Sequence, residues 1–179
     1  MGWIELHPYD PAWRDHFEQE RDRIRETASD DLLGIFHIGS TSIPDIIAKP
    51  NIDILAVYST SPAIHDAKDA LLDGYYIHRD DDDRVVLIWE RDEEDYKFTL
   101  HLRPRDAQGW RDQIVFRELL RDDPRARGKY EGAKRTAVSE YPDDGEAYTA
   151  AKQPVIRSLT DRAYEEGYDE QLPNFAAKE

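Results

Sequence analysis

The sequence contains no cysteine among its 179 residues. Disulfide bonds and thiolate metal sites are therefore excluded, and nothing in the composition indicates an oxidising compartment. Long hydrophobic runs are missing as well, because no apolar stretch approaches the roughly 20 residues needed to span a bilayer. The opening segment, MGWIELHPYD, has neither a basic start nor an apolar run, so it does not look like a secretion signal. We therefore expect a soluble, cytoplasmic protein that does not associate with membranes.

Basic residues are also scarce: 24 Lys and Arg stand against 39 Asp and Glu, giving a formal net charge of -15. Such a surface repels the phosphate backbone of nucleic acids, so non-specific binding of DNA or RNA is not expected. Two explanations of the acidity stay open, a basic partner or adaptation to very high salt, where screening removes the self-repulsion. The acidic residues are scattered through every segment rather than gathered in one tail, and we favour the high-salt explanation.

The order of the predicted elements indicates an α/β or α+β core followed by helices. Asp10 and Pro11 form a typical helix start, and the strands LLGIFHIG and NIDILAVY flank the segment STSIPDIIAKP, for which a short helix or a tight loop fits. A second helix has Ser61 as its predicted cap. Three further strands are predicted in YYIHRD, RVVLIWE and YKFTLHLRP.

From Gln108 onward the pattern is helical, and the last long helix contains Pro154, where a bend fits. We therefore predict an α/β core over residues 1–107 and a helical C-terminal part, packed on that core, over residues 108–170. Residues 171–179 are predicted to be a frayed tail.

A Gly-Ser turn and a lone aspartate lie close together in the sequence and suggest a phosphate site. Gly39 follows a strand, where glycine lets the backbone turn tightly and approach a ligand. Ser40 and Thr41 offer hydroxyls and backbone N–H donors, which suit phosphate oxygens. Asp53 sits in an otherwise apolar strand, and a buried carboxylate needs a partner such as Lys49 or a metal ion. Mg²⁺ is the metal expected there, because it bridges carboxylates to substrate phosphates.

Three further side chains are candidates for the same site. His101 lies on a strand expected to adjoin that of Asp53, and we predict a catalytic role for both, with a core histidine as the alternative for His101. Arg103 and Arg117 are candidate phosphate ligands through their fork of donors. Structural salt bridges are the alternative for both arginines in a chain this acidic.

The turn and the strand aspartate carry a resemblance to a known family. The sequence is similar to the GrpB branch of the nucleotidyltransferase (DNA polymerase β-like) superfamily. The matching segments are HIGSTS at 37–42, Pro44, AKP at 48–50, IDI at 52–54, YDPAW at 9–13, FRELLR at 116–121, and Pro124, Tyr130, Lys134, Tyr148 and Lys152 in the helical half. The resemblance therefore covers almost the whole chain.

The resemblance implies a nucleotidyltransferase-like mixed β-sheet flanked by helices, with a C-terminal helical extension. In active members of the superfamily the Gly-Ser turn holds nucleotide phosphates, and two or three carboxylates on adjacent strands hold divalent metals for an in-line attack. Asp53 matches one of these carboxylates. Leu55 stands where a second is expected, and His101 and Arg103 stand where the third is expected.

The function implied is binding of a nucleotide or another phosphorylated small molecule. For an active enzyme, the resemblance implies transfer of a nucleotidyl or phosphoryl group with Mg²⁺ held by Asp53. The alternative is a catalytically inactive nucleotide-binding or accessory module with an incomplete metal site. A third hypothesis is a purely structural or partner-binding protein whose acidic surface serves solubility alone.

Overall fold

A computed structural model describes residues 2–175 of the chain as a five-stranded mixed sheet with helices packed against it. The helices are α1 Ala12–Thr27, α2 Ser61–Leu71, α3 Gly109–Asp122, α4 Pro124–Glu140 and α5 Gly145–Glu165. The strands are β1 Leu32–Ile38, β2 Asn51–Tyr58, β3 Tyr76–Asp81, β4 Arg84–Trp89 and β5 Lys97–Pro104. The predicted α/β architecture and all five predicted strands are confirmed.

The strand order in the sheet is β1-β2-β5-β4-β3. β2 and β5 run parallel, and the other neighbouring pairs are antiparallel. β2 is apolar along most of its length because both of its faces are covered. One face packs with α1 and α2, and the other packs with α3. The pairing places Asp53 opposite Ile38 of β1 and beside Thr99 of β5.

Side-chain hydrogen bonds to the backbone mark the starts of α1 and α2. The Asp10 carboxylate accepts a hydrogen bond from the backbone N–H of Ala12 at 2.9 Å, so Asp10 caps α1 as its sequence position suggests. The cap of α2 is Thr60, whose hydroxyl accepts from the N–H of Ala63 at 3.2 Å, and not the predicted Ser61. Thr60 is the N-cap because its backbone is extended, whereas Ser61 is already helical.

The polar segment between β1 and β2 forms only a single 3-10 turn, Ser40–Ser42, and is otherwise irregular. The chain then reaches β2 through a short antiparallel bridge between His7 and Ala48. This connection leaves the Gly-Ser turn at the end of β1, beside the first half of β2.

The three C-terminal helices pack on one another, and α3 also packs on the sheet. Trp110 and Ile114 of α3 share a buried cluster with Leu55 and Val57 of β2. Pro154 lies inside α5. Of the predicted frayed tail, Leu172 packs against the helical core, while residues 176–179 lie outside the described residues.

Within residues 2–175, no helix combines the length and the apolar character needed to cross a membrane.

Candidate functional site

Gly39 and Asp53 are packed directly against each other. Gly39 has a φ of +71°, which lies in the left-handed region that side-chain-bearing residues rarely adopt. A Cβ at Gly39 would lie 2.5 Å from Oδ2 and 3.0 Å from Cβ of Asp53. Glycine is therefore required for both its conformation and its size, and the turn and the strand carboxylate meet as predicted.

The hydroxyls of Ser40 and Thr41 contact different parts of the protein. Ser40 Oγ donates to the hydroxyl of Tyr130 in α4 at 3.3 Å, on the Asp53 side of the turn. The Thr41 side chain is buried, and its hydroxyl donates to the carbonyl of Asn51 at 3.3 Å. Its oxygen also lies 2.9 Å from Nε2 of His37, which must be the donor because the hydroxyl proton is already used. Ser40 is thus available to a ligand, whereas the Thr41 hydroxyl holds the turn.

His37 stays neutral in this position. Burial, the largest effect, lowers the pKa of its imidazole to about 4, and the positive charges of Arg121 and Arg117 act in the same direction. The ring also stacks on Phe17 with centroids 4.8 Å apart. His37 is therefore a core histidine that supports the turn.

Asp53 has one side-chain partner on the neighbouring strand. Its Oδ1 lies 3.1 Å from Nε2 of His101 in β5. His101 is buried, and its other ring nitrogen, Nδ1, has no hydrogen-bond partner among the described residues. The strand order therefore brings His101 to Asp53, as the sequence suggests.

The position of the expected second carboxylate is part of the hydrophobic core. Leu55 is fully buried among Val57, Trp110 and Ile114. β2 and β5 together carry a single carboxylate, Asp53. Over residues 2–175, no group of three or more His, Cys, Asp or Glu side chains is arranged to hold a metal ion. These residues do not form a two-metal centre.

Three lysines surround the aromatic side of the turn, and we call them the lysine cluster. Lys49 and Lys152 both face the ring of Tyr148, with their Nζ atoms 4.7 and 4.1 Å from its centroid. Lys134 faces the ring of Tyr130 at 4.8 Å. These are cation–π distances, and they place Lys134 on the ring whose hydroxyl contacts Ser40, and Lys49 and Lys152 together on Tyr148.

The pKa values of the three lysines are all lowered, and burial is the largest cause for each of them. Burial lowers the pKa of Lys152 to about 8, and the charge of Lys49 adds to this effect. Burial also lowers the pKa of Lys134 to about 7, with Lys152 as the next contribution. The pKa of Lys49 is lowered by burial and by Lys97. Asp53 acts on all three lysines in the opposite direction and does not outweigh these effects.

α4 also holds the loop that leads into β2. Lys134 Nζ donates to the carbonyl of Ile47 at 2.6 Å, and the Glu131 carboxylate accepts from the N–H of the same residue at 2.8 Å. Lys134 is only 1% exposed, so this contact gives it a structural role in addition to its charge.

Sequence reasoning did not select Lys134 and Lys152 as site residues. The available signal was their spacing: Tyr130 and Lys134 are four residues apart, and so are Tyr148 and Lys152, which puts each pair on one helix face. What the sequence could not provide was the packing of α4 and α5 against the Gly39 turn.

Two predicted phosphate-binding arginines lie away from this cluster. Arg117 donates to the carbonyl of His37 at 2.9 Å and forms an ion pair with Glu118. Arg103 lies on the same face of β5 as His101 but two residues further along, beside the first residue of α3, Gly109. Among the predicted residues, the structure therefore groups Gly39, Ser40, Lys49, Asp53 and His101. Arg117 is bound to the backbone beside the turn, and Arg103 lies further along β5.

The comparisons with known proteins agree with the geometry. A family model described as GrpB protein matches residues 3–162. A UPF0157 protein of Pseudomonas aeruginosa is 33% identical over 168 residues, which cover 89% of this chain and 67% of that protein. The crystal structure of the conserved protein GrpB from Enterococcus faecalis has a TM-score of 0.78 at 24% identity and covers 90% of this chain and 98% of that one.

A more distant likeness concerns the fold alone. A structure of the Cid1 poly(U) polymerase bound to MgATP matches with a TM-score of 0.55 at 11% identity, over 82% of this chain and 50% of that one. The predicted nucleotidyltransferase-like fold, a mixed sheet flanked by helices, is therefore confirmed.

Proposed function

The chain belongs to the GrpB family, and we propose that it binds a nucleotide or another phosphorylated small molecule between the Gly39 turn, Asp53 and the lysine cluster. The observation that carries the proposal is the charge of that cluster. Two carboxylates act on it, Asp53 and Glu131, yet within residues 2–175 neither forms an ion pair within 4 Å of any of the three lysines. A polyanion would supply the missing counter-charge and raise the lowered lysine pKa values.

The other groups around the cluster suit phosphate as well. The Ser40 hydroxyl lies on the same side of the turn and can turn from Tyr130 to a phosphate oxygen. Cation–π contacts with the rings of Tyr130 and Tyr148 restrict the positions of the three ammonium groups. A preorganised cluster of this kind binds an anion without first ordering long side chains.

The proposal includes one magnesium ion rather than two. Asp53 is the protein carboxylate that would hold one ion, and the phosphates of the ligand would provide most of its other ligands. Such an ion would neutralise phosphate charge. Leu55 leaves no carboxylate for a second ion on the same strand.

A second candidate function is a nucleotide-binding module without catalysis, and the burial of Leu55 in the core is the observation that favours it. The active alternative is transfer of a nucleotidyl or phosphoryl group at Asp53. The attacking oxygen would bond to phosphorus, the bond from phosphorus to the leaving phosphate or pyrophosphate would break, and the Asp53–His101 pair would accept the proton of the attacking group. The two candidates share the binding site and differ only in turnover.

Binding is tested by melting the full chain at fixed KCl with a panel of nucleotides and tripolyphosphate, with and without Mg²⁺. We expect the ligands to raise Tm in the wild type and in the control Lys129→Gln, which changes an exposed lysine of α4, and to raise it much less in Lys152→Gln. A melting temperature that no ligand raises, or equal responses of the two variants, would contradict the proposal.

Turnover is tested by incubating the ligand that binds with Mg²⁺ and following pyrophosphate or phosphate release. Release that is lost in Ser40→Ala and in Asp53→Asn, with unfolding curves unchanged, would establish the enzyme. Binding that is independent of Mg²⁺ and survives Asp53→Asn without any release would establish the inactive module.

A further inference from the structure

Arg84 and Arg103 face each other across two central strands. The antiparallel ladder pairs Val85 with Leu102 and Val86 with His101, and its next step places Arg84 opposite Arg103. Like charges directly opposite in a ladder destabilise a sheet. We call these two residues the arginine pair, and they lie on the same face of the sheet as His101.

The arginine pair has no partner in the part of the chain that the structure describes. Neither guanidinium forms an ion pair within 4 Å or a side-chain hydrogen bond there, and the Nε atom of each is buried without an acceptor. Burial, the charge of Arg84 and other nearby groups bring the pKa of Arg103 to about 10. Two adjacent half-buried cations without a counter-charge are unfavourable unless something else compensates them.

The nearest carboxylates either bind other residues or lie more than 4 Å from both arginines. Asp81 is paired with Arg79, and Asp112 accepts hydrogen bonds from the Tyr164 hydroxyl and from Gln108. Asp83 raises the pKa of both arginines but comes within 4 Å of neither. The protein's own acidic groups therefore do not neutralise the pair, although the chain is acidic overall.

The start of α3 adds a further positive contribution. A Cβ at Gly109 would lie 2.5 Å from Cζ of Arg103, so the guanidinium rests directly on the first residue of the helix. α3 has no side-chain cap at this end, and a helix N-terminus carries a partial positive charge. Two guanidinium groups and a helix N-terminus thus converge.

Unpartnered polar atoms mark the same region. The buried side-chain nitrogen and oxygen atoms without a partner in residues 2–175 are Arg84 Nε, Arg103 Nε, His101 Nδ1 and Gln113 Oε1. His101 is two residues from Arg103 on one face of β5, and Gln113 is one helical turn from Gly109. In native proteins such atoms are rare and need an explanation, so their concentration between β4, β5 and α3 points to a ligand.

We propose that the arginine pair binds an oxyanion group, a phosphate or a carboxylate, of a small molecule that lies along β5 toward His101. The Cα atoms of Arg103 and His101 are about 7 Å apart along the strand, a span that a small molecule bridges easily. Each guanidinium offers forked donors that match either oxyanion. The inference stands on contacts separate from the lysine cluster, and it assigns the chain a second anionic ligand group on the other side of the Asp53–His101 pair.

The probes are inorganic phosphate and malonate, each compared with KCl at equal ionic strength and pH. We follow Tm of the full chain for the wild type, Arg103→Gln and two controls. Arg135→Gln makes the same charge change at an exposed position of α4, and Lys152→Gln weakens the lysine cluster alone. At a probe concentration of ten times its dissociation constant, we expect Tm to rise by about 3 to 6 °C.

We expect Arg103→Gln to lose part of this rise in Tm and Arg135→Gln to keep all of it. Lys152→Gln should keep the part of the rise that depends on Arg103. Gly109→Ala, which retains both charges but displaces the Arg103 guanidinium, should also reduce the rise. The probe with the larger Arg103-dependent rise identifies the oxyanion as phosphate or carboxylate. Equal responses of Arg103→Gln and Arg135→Gln, or no rise in the wild type with either probe, would overturn the proposal.

Discussion

Asp53 rests on the backbone of Gly39, so closely that a methyl group on Gly39 would come within 2.5 Å of the Asp53 carboxylate oxygen. The strand carboxylate and the turn therefore form one rigid unit. A change in either residue moves the other, which is why the site can be tested through the glycine as well as through the acid.

Gly39→Ala should destabilise the protein by about 1 to 3 kcal/mol, because the new Cβ meets Asp53 and the left-handed backbone disfavours it. The free energy of unfolding is measured with urea. The matched control is Gly128→Ala within α4, where a Cβ meets nothing within 4 Å, and alanine should stabilise by up to about 1 kcal/mol. Similar changes in the free energy of unfolding at both glycines would show that the contact with Asp53 does not require glycine at position 39.

Anion affinity should fall as the pH rises from 7 to 9. With its pKa lowered to about 8, Lys152 is charged below that pH and neutral above it, and Lys134, with a pKa of about 7, loses its charge earlier. We expect the dissociation constant of sulfate, whose charge is constant in this range, to increase about tenfold. It is measured by calorimetry in matched buffers.

Lys152→Arg is the control for this pH dependence, because a guanidinium stays charged throughout the range. Its sulfate affinity should therefore change less between pH 7 and pH 9. The arginine pair adds a nearly constant background, since the lowered pKa of Arg103 is still about 10. An affinity that is flat across the range in the wild type, or equally steep in Lys152→Arg, would contradict the assignment.

The free energy of unfolding should rise from dilute buffer to molar KCl, because screening reduces the self-repulsion of a chain with a net charge of -15. Urea unfolding at several KCl concentrations measures the slope. Replacing the exposed Asp92, Glu93 and Glu94 by amides should make the slope shallower. Equal stability in dilute buffer and in molar KCl would rule out the high-salt explanation of the composition.

The sequence predicts the local parts of the site well. Short apolar runs rich in β-branched and aromatic residues locate the strands, and a glycine at the end of β1 predicts the turn that meets Asp53. The proximity of His101 to Asp53 follows once their strands are neighbours. These features depend on residues that are close in sequence or on a single strand pairing.

The rest depends on long-range packing that periodicity does not encode. Lys152 lies about 100 residues from Asp53 and reaches the site only because α5 packs on α4 beside the turn. Arg84 meets Arg103 through the register of β4 against β5, and a shift of one residue would send one of them to the other face. The sequence places Leu55 where a carboxylate is expected, but only the packing of α3 shows why that position is apolar.

Arg117 and Arg121 of α3 bind the carbonyls of His37 and Ser42, one on each side of the Gly39 turn, at 2.9 Å. The loop therefore loses its conformational entropy when the chain folds and not when a ligand arrives. A ligand should therefore bind this turn as a preformed site, with an association rate set by diffusion and charge rather than by loop closure.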